Sequence, residues 1–228
     1  MKPARLRPET FDAAIWKVVN EENEYRLPNA FARGDVVVDV GAHIGAFTYA
    51  VLTRGAGRVL AFEPFAENFE MASVNLRTYG NRVTLRNEAV WACSEKLMFQ
   101  VPTNENTGGG GVWDEGVEVQ VVAFDEVCRT AARLNRKGRV RLVKLDCEGS
   151  EWAILLTSTM LGVIDEVCGE FHEDRVPPQT RSHTPGPFTR WRLGCVLTKA
   201  GFDVRLWVNP GAPTLGLFWA RRPEKSPD

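Results

Sequence analysis

The chemistry-bearing residues of this 228-residue chain fall into two sets. The first is a turn, Asp39-Val40-Gly41-Ala42-His43-Ile44-Gly45, followed at a distance by Glu63. Gly41 lets the chain turn through dihedrals that other residues resist, and Gly45 lets the following helix pack against the strand and keeps side-chain bulk away from a ligand. His is among the few non-glycine residues enriched at positive φ, so His43 can stand inside such a turn. Glu63 ends an apolar run with a carboxylate that can accept both hydroxyl protons of a ribose. The second set, Asp146, Glu148, Glu170 and His172, offers proton transfer or, in an alternative arrangement, hard ligands for a divalent cation.

The elements that must position these residues follow from hydropathy patterning. Val36-Val37-Val38 is short, continuous and β-branched, as suits a strand covered on both faces. Further strands are expected at 58–62, 82–87, 141–146 and 164–171, with two more at 202–208 and 215–220, the last antiparallel. Helices are expected over 11–22, where Phe11, Ile15, Val18 and Val19 share a face, and over 66–79, 150–160 and 188–200. The alternation implies a doubly wound, mostly parallel α/β sheet, which binds ligands at the carboxyl ends of its strands. Both residue sets then face one crevice, joined there by Asn87 at the end of the third strand.

The segment 96–124 departs from the alternation. Residues 97–101 and 117–122 read as strands joined by a tip holding Gly108 to Gly111, a β-hairpin insertion whose glycines order at high entropic cost. The segment 174–190 is Pro-rich and reads as a loop, with His183 a weaker candidate on the acceptor side. The whole is expected to be one domain, with a lead-in at 1–34 and a frayed tail at 223–228.

Composition narrows the classes. Hydrophobic content of 44%, a net charge of −1 and a pI near 6.4 argue against a general nucleic-acid binder. The basic run from Arg129 to Arg141 reads as a solvated helix face and turn. Five scattered cysteines without CxxC spacing give neither a disulfide framework nor a zinc site. No stretch reads as a signal peptide or a membrane span, so a cytoplasmic protein without membrane partners is expected. Oligomeric state is not legible.

A dinucleotide fingerprint wants glycines at the first, third and sixth places of the turn, here Gly41, His43 and Ala46. That counts against a nicotinamide-dependent oxidoreductase. The spacing Asp39-x-Gly41-x-x-x-Gly45 instead resembles the first motif of S-adenosylmethionine (SAM)-dependent methyltransferases. Together with Ala61-Phe62-Glu63-Pro64 and Val143-Lys144-Leu145-Asp146-Cys147-Glu148-Gly149-Ser150-Glu151, it resembles the FkbM family of these enzymes. The family's usual Asn in the glycine loop is His43 here.

The resemblance implies a seven-stranded, Rossmann-like class I methyltransferase fold and SAM as donor. It implies O-methylation of a hydroxyl on a sugar or other small natural product. It places Gly41, Ala42, His43 and Gly45 near the amino-acid part of SAM with Asp39 supporting the loop, and Glu63 on the ribose. Asn87 and Ala89 fall near the adenine, Asp146 near the methionine amine or the acceptor, and Tyr25 over the cofactor.

His172 is the expected general base, with a hydrogen-bonded structural role as its rival, and Asp146 joins it as a catalytic candidate. No metal is favoured. The alternative is a cation site of Asp146, Glu148, Glu170 and His172. A non-catalytic nucleoside-binding module stays as a rival function.

Overall fold

A computed structural model describes residues 4–94, 96–102 and 105–223, excepting the side chains of 182 and 183. The seven strands form a sheet in the order β11-β12-β10-β9-β1-β2-β3. Strands β1 (Val36–Val40), β2 (Arg58–Phe62), β3 (Val83–Arg86), β9 (Leu142–Leu145) and β10 (Glu166–His172) run parallel. β12 (Ala212–Arg221) lies antiparallel between β10 and β11 (Asp203–Asn209), as expected for the last strand.

Helices cover both faces, and the period-2 alternation of the strands decides what each face receives. From β1, Val36, Val38 and Val40 enter a core with α4 (Phe124–Leu134), α5 (Glu151–Thr157) and α7 (Arg190–Lys199). Val37 enters the opposite core with α2 (Ala46–Thr53) and the underside of α1 (Asp12–Asn20). Asp39 shares the face of Val37, and in register with it stand Lys144 of β9 and then Cys168 of β10. Two residues further along each strand, the same face carries Asp146 and Glu170 to the carboxyl edge.

The insertion holds more structure than a hairpin. β5 (Leu97–Gln100) pairs antiparallel with β7 (Val117–Val119), as the sequence predicts, and also with β6 (Gly111–Trp113). The expected strand 117–122 breaks at Gln120, whose carbonyl accepts from the Ala89 amide, 2.9 Å. Beyond the break, β8 (Val121–Ala123) pairs in parallel with β4 (Ala89–Trp91) instead. The glycine tip packs inward: Gly108 lies against Ile15 and His43, and Gly110 against Phe99 and Pro102.

Other elements differ at their ends. The second helix, α3, covers Ala66–Leu76, and its expected last turn is a 3₁₀ segment containing Gly80 at φ 54°. The loop expected at 174–190 contains a short helix, α6 (Pro178–His183). Phe11 holds the N-cap position of α1, and the hydroxyl of Thr10 before it accepts from the Asp12 amide at 3.3 Å. None of the five cysteines forms a disulfide. Among the described residues, no helix is long and apolar enough to cross a membrane. Residues 224–228 of the expected tail, and the His183 side chain, lie outside the described residues.

Candidate active site

A cavity of about 280 Å³ opens at the carboxyl ends of β1, β2, β9 and β10. The turn after β1 forms its floor. Gly41 adopts φ +77°, and a Cβ there would fall 1.9 Å from the Asp146 carbonyl oxygen. Only glycine lets the exits of β1 and β9 approach so closely. His43 follows at φ +51°, the left-handed conformation anticipated for it. Gly45, at φ +86°, caps α2, and its missing Cβ makes room for Leu76 of α3 rather than for the cavity.

Glu63 stands at one end of the cavity, fully enclosed. Its Oε2 accepts from the His43 amide, 2.7 Å, and its Oε1 from the Phe65 amide, 3.0 Å, and Asn68 Nδ2, 3.4 Å. Burial raises its carboxyl pKa to about 7 against the pull of those donors. Beside it Ala89 and Glu88 line the wall, and Glu88 Oε2 is buried without a hydrogen-bond partner.

At the other end carboxylates crowd together: Glu24, Asp146, Glu148 and Glu170 all line the cavity. Tyr25 donates its hydroxyl to Asp146 Oδ2 at 2.9 Å, and its ring stands edge-on to Phe47. Lys144 is buried beneath them. Its ammonium donates to the Gly41 carbonyl and lies 3.4 Å from Asp39 Oδ1 and 3.5 Å from Asp146 Oδ2. Burial alone would discharge this lysine, but Asp146 and Asp39 outweigh it and push its pKa above the usual range. Asp39 itself does not reach the cavity; it accepts from Thr48 Oγ1 at 2.7 Å and ties the turn to α2.

The structure thus brings Tyr25, Gly41, Ala42, His43, Glu63, Ala89 and Asp146 together in the wall that encloses this cavity. Asp39, Gly45, Asn87 and His172 stand behind it. Asn87 Nδ2 donates to the carbonyls of Glu63, 2.8 Å, and Pro64, 3.0 Å, so it shapes the strand exit that presents Glu63.

His172 sits in a cage of carboxylates. Its Nδ1 lies 3.1 Å from Glu151 Oε1, and its Nε2 lies 3.4 Å from Glu148 Oε2 and 3.7 Å from Glu170 Oε2. Burial opposes its charge, but Glu151, Glu148 and Glu170 prevail and raise its pKa to about 10. In this arrangement it is an imidazolium, with no lone pair to accept a proton. That placement does not favour the expected base role.

Sequence reasoning passed over Lys144 and the residues that roof the cavity. A lysine inside Leu142-Val143-Lys144-Leu145 was a readable signal, because a buried strand keeps a cation only against a partner. The roof is a polar clasp. Arg7 donates to Asp12 Oδ2 and to Asn68 Oδ1, at 2.9 and 2.8 Å. Asn68 Nδ2 donates to the Thr107 carbonyl, 2.9 Å, and the Thr107 hydroxyl meets His43 Nε2 at 2.7 Å. Nothing in residue spacing links these four segments, which are far apart in sequence.

Sheet order, glycine turn and acidic strand exits define a class I SAM-dependent methyltransferase. The methyltransferase FkbM domain model matches residues 39–182, more than half of the chain, and the protein belongs to that family. No curated protein sequence matches the chain.

Among solved structures, the chain is similar to precorrin-6y C5,15-methyltransferase from Geobacter metallireducens GS-15. That match has 12% identity and a TM-score of 0.49, covering 96% of this chain and 93% of that one. It is also similar to precorrin 8w decarboxylase from Methanobacterium thermoautotrophicum at 15% identity and TM-score 0.46, covering 96% and 99% of the two chains. A SAM-dependent O-methyltransferase from Thermotoga maritima matches at 13% identity and TM-score 0.45, covering 100% and 69%. At such distances no argument about activity rests on them.

Proposed function

We propose that this methyltransferase moves the SAM methyl group onto a hydroxyl of a small natural product or sugar. The observation that carries the reading is the polarity of the cavity. A buried carboxylate able to take two hydroxyl donors stands at one end, and a cluster of carboxylates stands at the other. A nucleoside joined to a cationic amino acid needs that arrangement.

The residues present fit the cofactor. Glu63 would hold the ribose hydroxyls, and the unpartnered Glu88 Oε2 would accept from the adenine amine. Gly41 leaves its backbone bare for close approach, while Asp146 and Glu24 would face the ammonium. Bound SAM supplies an electrophilic methyl on a sulfonium. The chain must align an acceptor oxygen with it and take the proton as the bond forms. Glu148 and Glu170 line the acceptor end, and we assign proton acceptance to this pair, with His172 as the cation that positions both. Phe11, Ile15, Val18 and Val19 of the α1 face and its lead-in give the cavity an apolar side, which suits a scaffold that is not uniformly polar. We place the reaction in the cytoplasm, with neither nucleic acid nor membrane as partner.

A screen with methyl-labelled SAM across glycosides and macrolides tests the proposal. Label should appear in an acceptor as an ether, with S-adenosylhomocysteine as co-product. SAM binding without transfer to any hydroxylated acceptor would favour a non-catalytic nucleoside-binding module instead.

A further inference from the structure

We infer that β11 is a self-association edge: two copies of this chain pair their β11 strands antiparallel about a twofold axis, joining their sheets into one. This goes beyond the proposed function and does not rest on it. β11 closes one edge of the sheet and is hydrogen-bonded to β12 alone. Such an edge carries a row of backbone N–H and C=O groups that another strand satisfies in register. Edges that stay unpaired are guarded by shortness, charge, proline or a bulge. The opposite edge, β3, spans four residues and ends on Arg86. β11 spans seven, contains neither lysine nor proline, and keeps unbroken register along β12 from Asp203 to Val208.

The side chains gathered there point the same way. Among the described residues six large apolar side chains are exposed, and three of them, Trp191, Leu206 and Trp207, belong to this edge. Leu206 and Trp207 stand on opposite faces of the strand. On the Leu206 side lies α7, where a Cβ on Gly194 would meet Leu206 Cδ1 at 3.8 Å. Trp191, three residues before Gly194, shares that side of the helix and is 76% exposed. On the other side Arg26 stacks over Trp219 of β12, 3.7 Å from the ring centre, whereas Trp207 of β11 stays 44% exposed. Large apolar side chains flanking an unguarded strand edge mark an association surface.

The order of residues along β11 identifies the occupant as a second copy. A twofold axis normal to the sheet at Leu206, the middle residue of the strand, keeps each face on its own side. It sets Leu206 against Leu206 of the second copy, Val204 against Val208, and Arg205 against Trp207. Each unlike contact then occurs twice, as a self-complementary interface requires. Arg205 is exposed and holds no ion pair among the described residues. Its guanidinium can therefore cover the electron-rich face of the opposing indole, an electrostatic match between the two copies. β12 stands between β11 and the strands that carry the cavity, so both cavities stay open.

Sedimentation velocity between about 1 and about 100 μM tests the interface, and wild type should run as a dimer within that range. Leu206→Glu sets two carboxylates against each other on the axis and should weaken dimerisation at least about a hundredfold. Trp191→Gln, on the exposed helix face, should weaken it at least about tenfold and serves as the second variant should Leu206→Glu unfold, with circular dichroism as the check. Cysteine variants under mild oxidation read the register, with wild type as the baseline for its own five cysteines. Directly opposed residues of an antiparallel pair have Cα atoms about 4.5–5.5 Å apart, within reach of a disulfide. Leu206→Cys should therefore give a linked dimer on a non-reducing gel. Val204→Cys, which faces Val208 rather than its own copy, should add nothing above wild type. A monomeric wild type, undiminished dimerisation in the variants that fold, or equal cross-linking by the two cysteine variants would overturn the proposal.

Discussion

His43 Nε2 lies 2.7 Å from the hydroxyl of Thr107, joining the floor of the cavity to the insertion that roofs it. The same imidazole belongs to the residue whose amide donates to Glu63. Burial pushes the His43 pKa down to about 4, so at neutral pH the contact is an uncharged hydrogen bond. Arg7 and Asp12 complete the clasp from the N-terminal side. The cavity is thereby roofed by residues 105–110 and the α1 lead-in, a roof that SAM would have to pass under the proposed function.

Cutting the clasp should therefore loosen the roof before it harms the sheet. Thr107→Val removes one hydroxyl and its bonds, a loss of about 1 kcal/mol. The expected result is faster SAM dissociation by stopped-flow and faster amide exchange in residues 105–111, with strands β1, β2 and β9 still protected. Unchanged exchange in that segment would show that the roof does not depend on Thr107.

Gly41→Ala should be severe. Its Cβ would meet the Asp146 carbonyl at 1.9 Å while the backbone holds φ +77°. A loss of at least about 2 kcal/mol in urea unfolding is expected. Gly162→Ala is the control, since nothing lies within 4 Å of a Cβ there and no positive φ is required. The two should differ clearly in midpoint.

Lys144→Met should cost about 3–5 kcal/mol, because it leaves Asp39 buried without its cation and Asp146 facing other carboxylates. Chemical denaturation measures this directly. A near-neutral effect would mean that the aspartates take up protons instead, and the loss would then deepen as pH rises.

Glu63 links stability and cofactor binding to pH. Its folded-state pKa is about 7 against an ordinary 4.5, raised by burial. On raising the pH, the unfolded chain gives up this proton first. Stability from this group is therefore full below about pH 4.5 and is lost by about pH 7, a change of about 3 kcal/mol. Glu63→Gln should abolish that slope in a pH series of denaturant melts. SAM affinity in wild type should rise from pH 6 to 8, because the ribose hydroxyls donate to the ionised carboxylate. The variant should show no such rise.

The sequence carried the sheet well because its strands are short apolar runs closed by chemistry-bearing residues. Val36 to Val38 announced β1, and Glu63 and Asp146 announced the ends of β2 and β9. Glycine spacing located the turn, although it did not show that Gly45 serves Leu76 rather than the cavity. The clasp was illegible, since Arg7, Asn68 and Thr107 meet only after three separate elements have packed. Nor could spacing show that Glu151 would stand behind His172: the first looks like a helix-start acid and the second like a free imidazole. The break at Gln120 was hidden too, because Val117 to Val122 alternates without interruption and only the competition between β4 and β5 divides it.

Isothermal titration of SAM into wild type and Glu63→Gln at pH 8 tests the central claim most directly. The account predicts one SAM site per chain in wild type and at least about tenfold weaker binding in the variant, with the fold intact by circular dichroism. No SAM binding by wild type, or equal affinity in the folded variant, would contradict it.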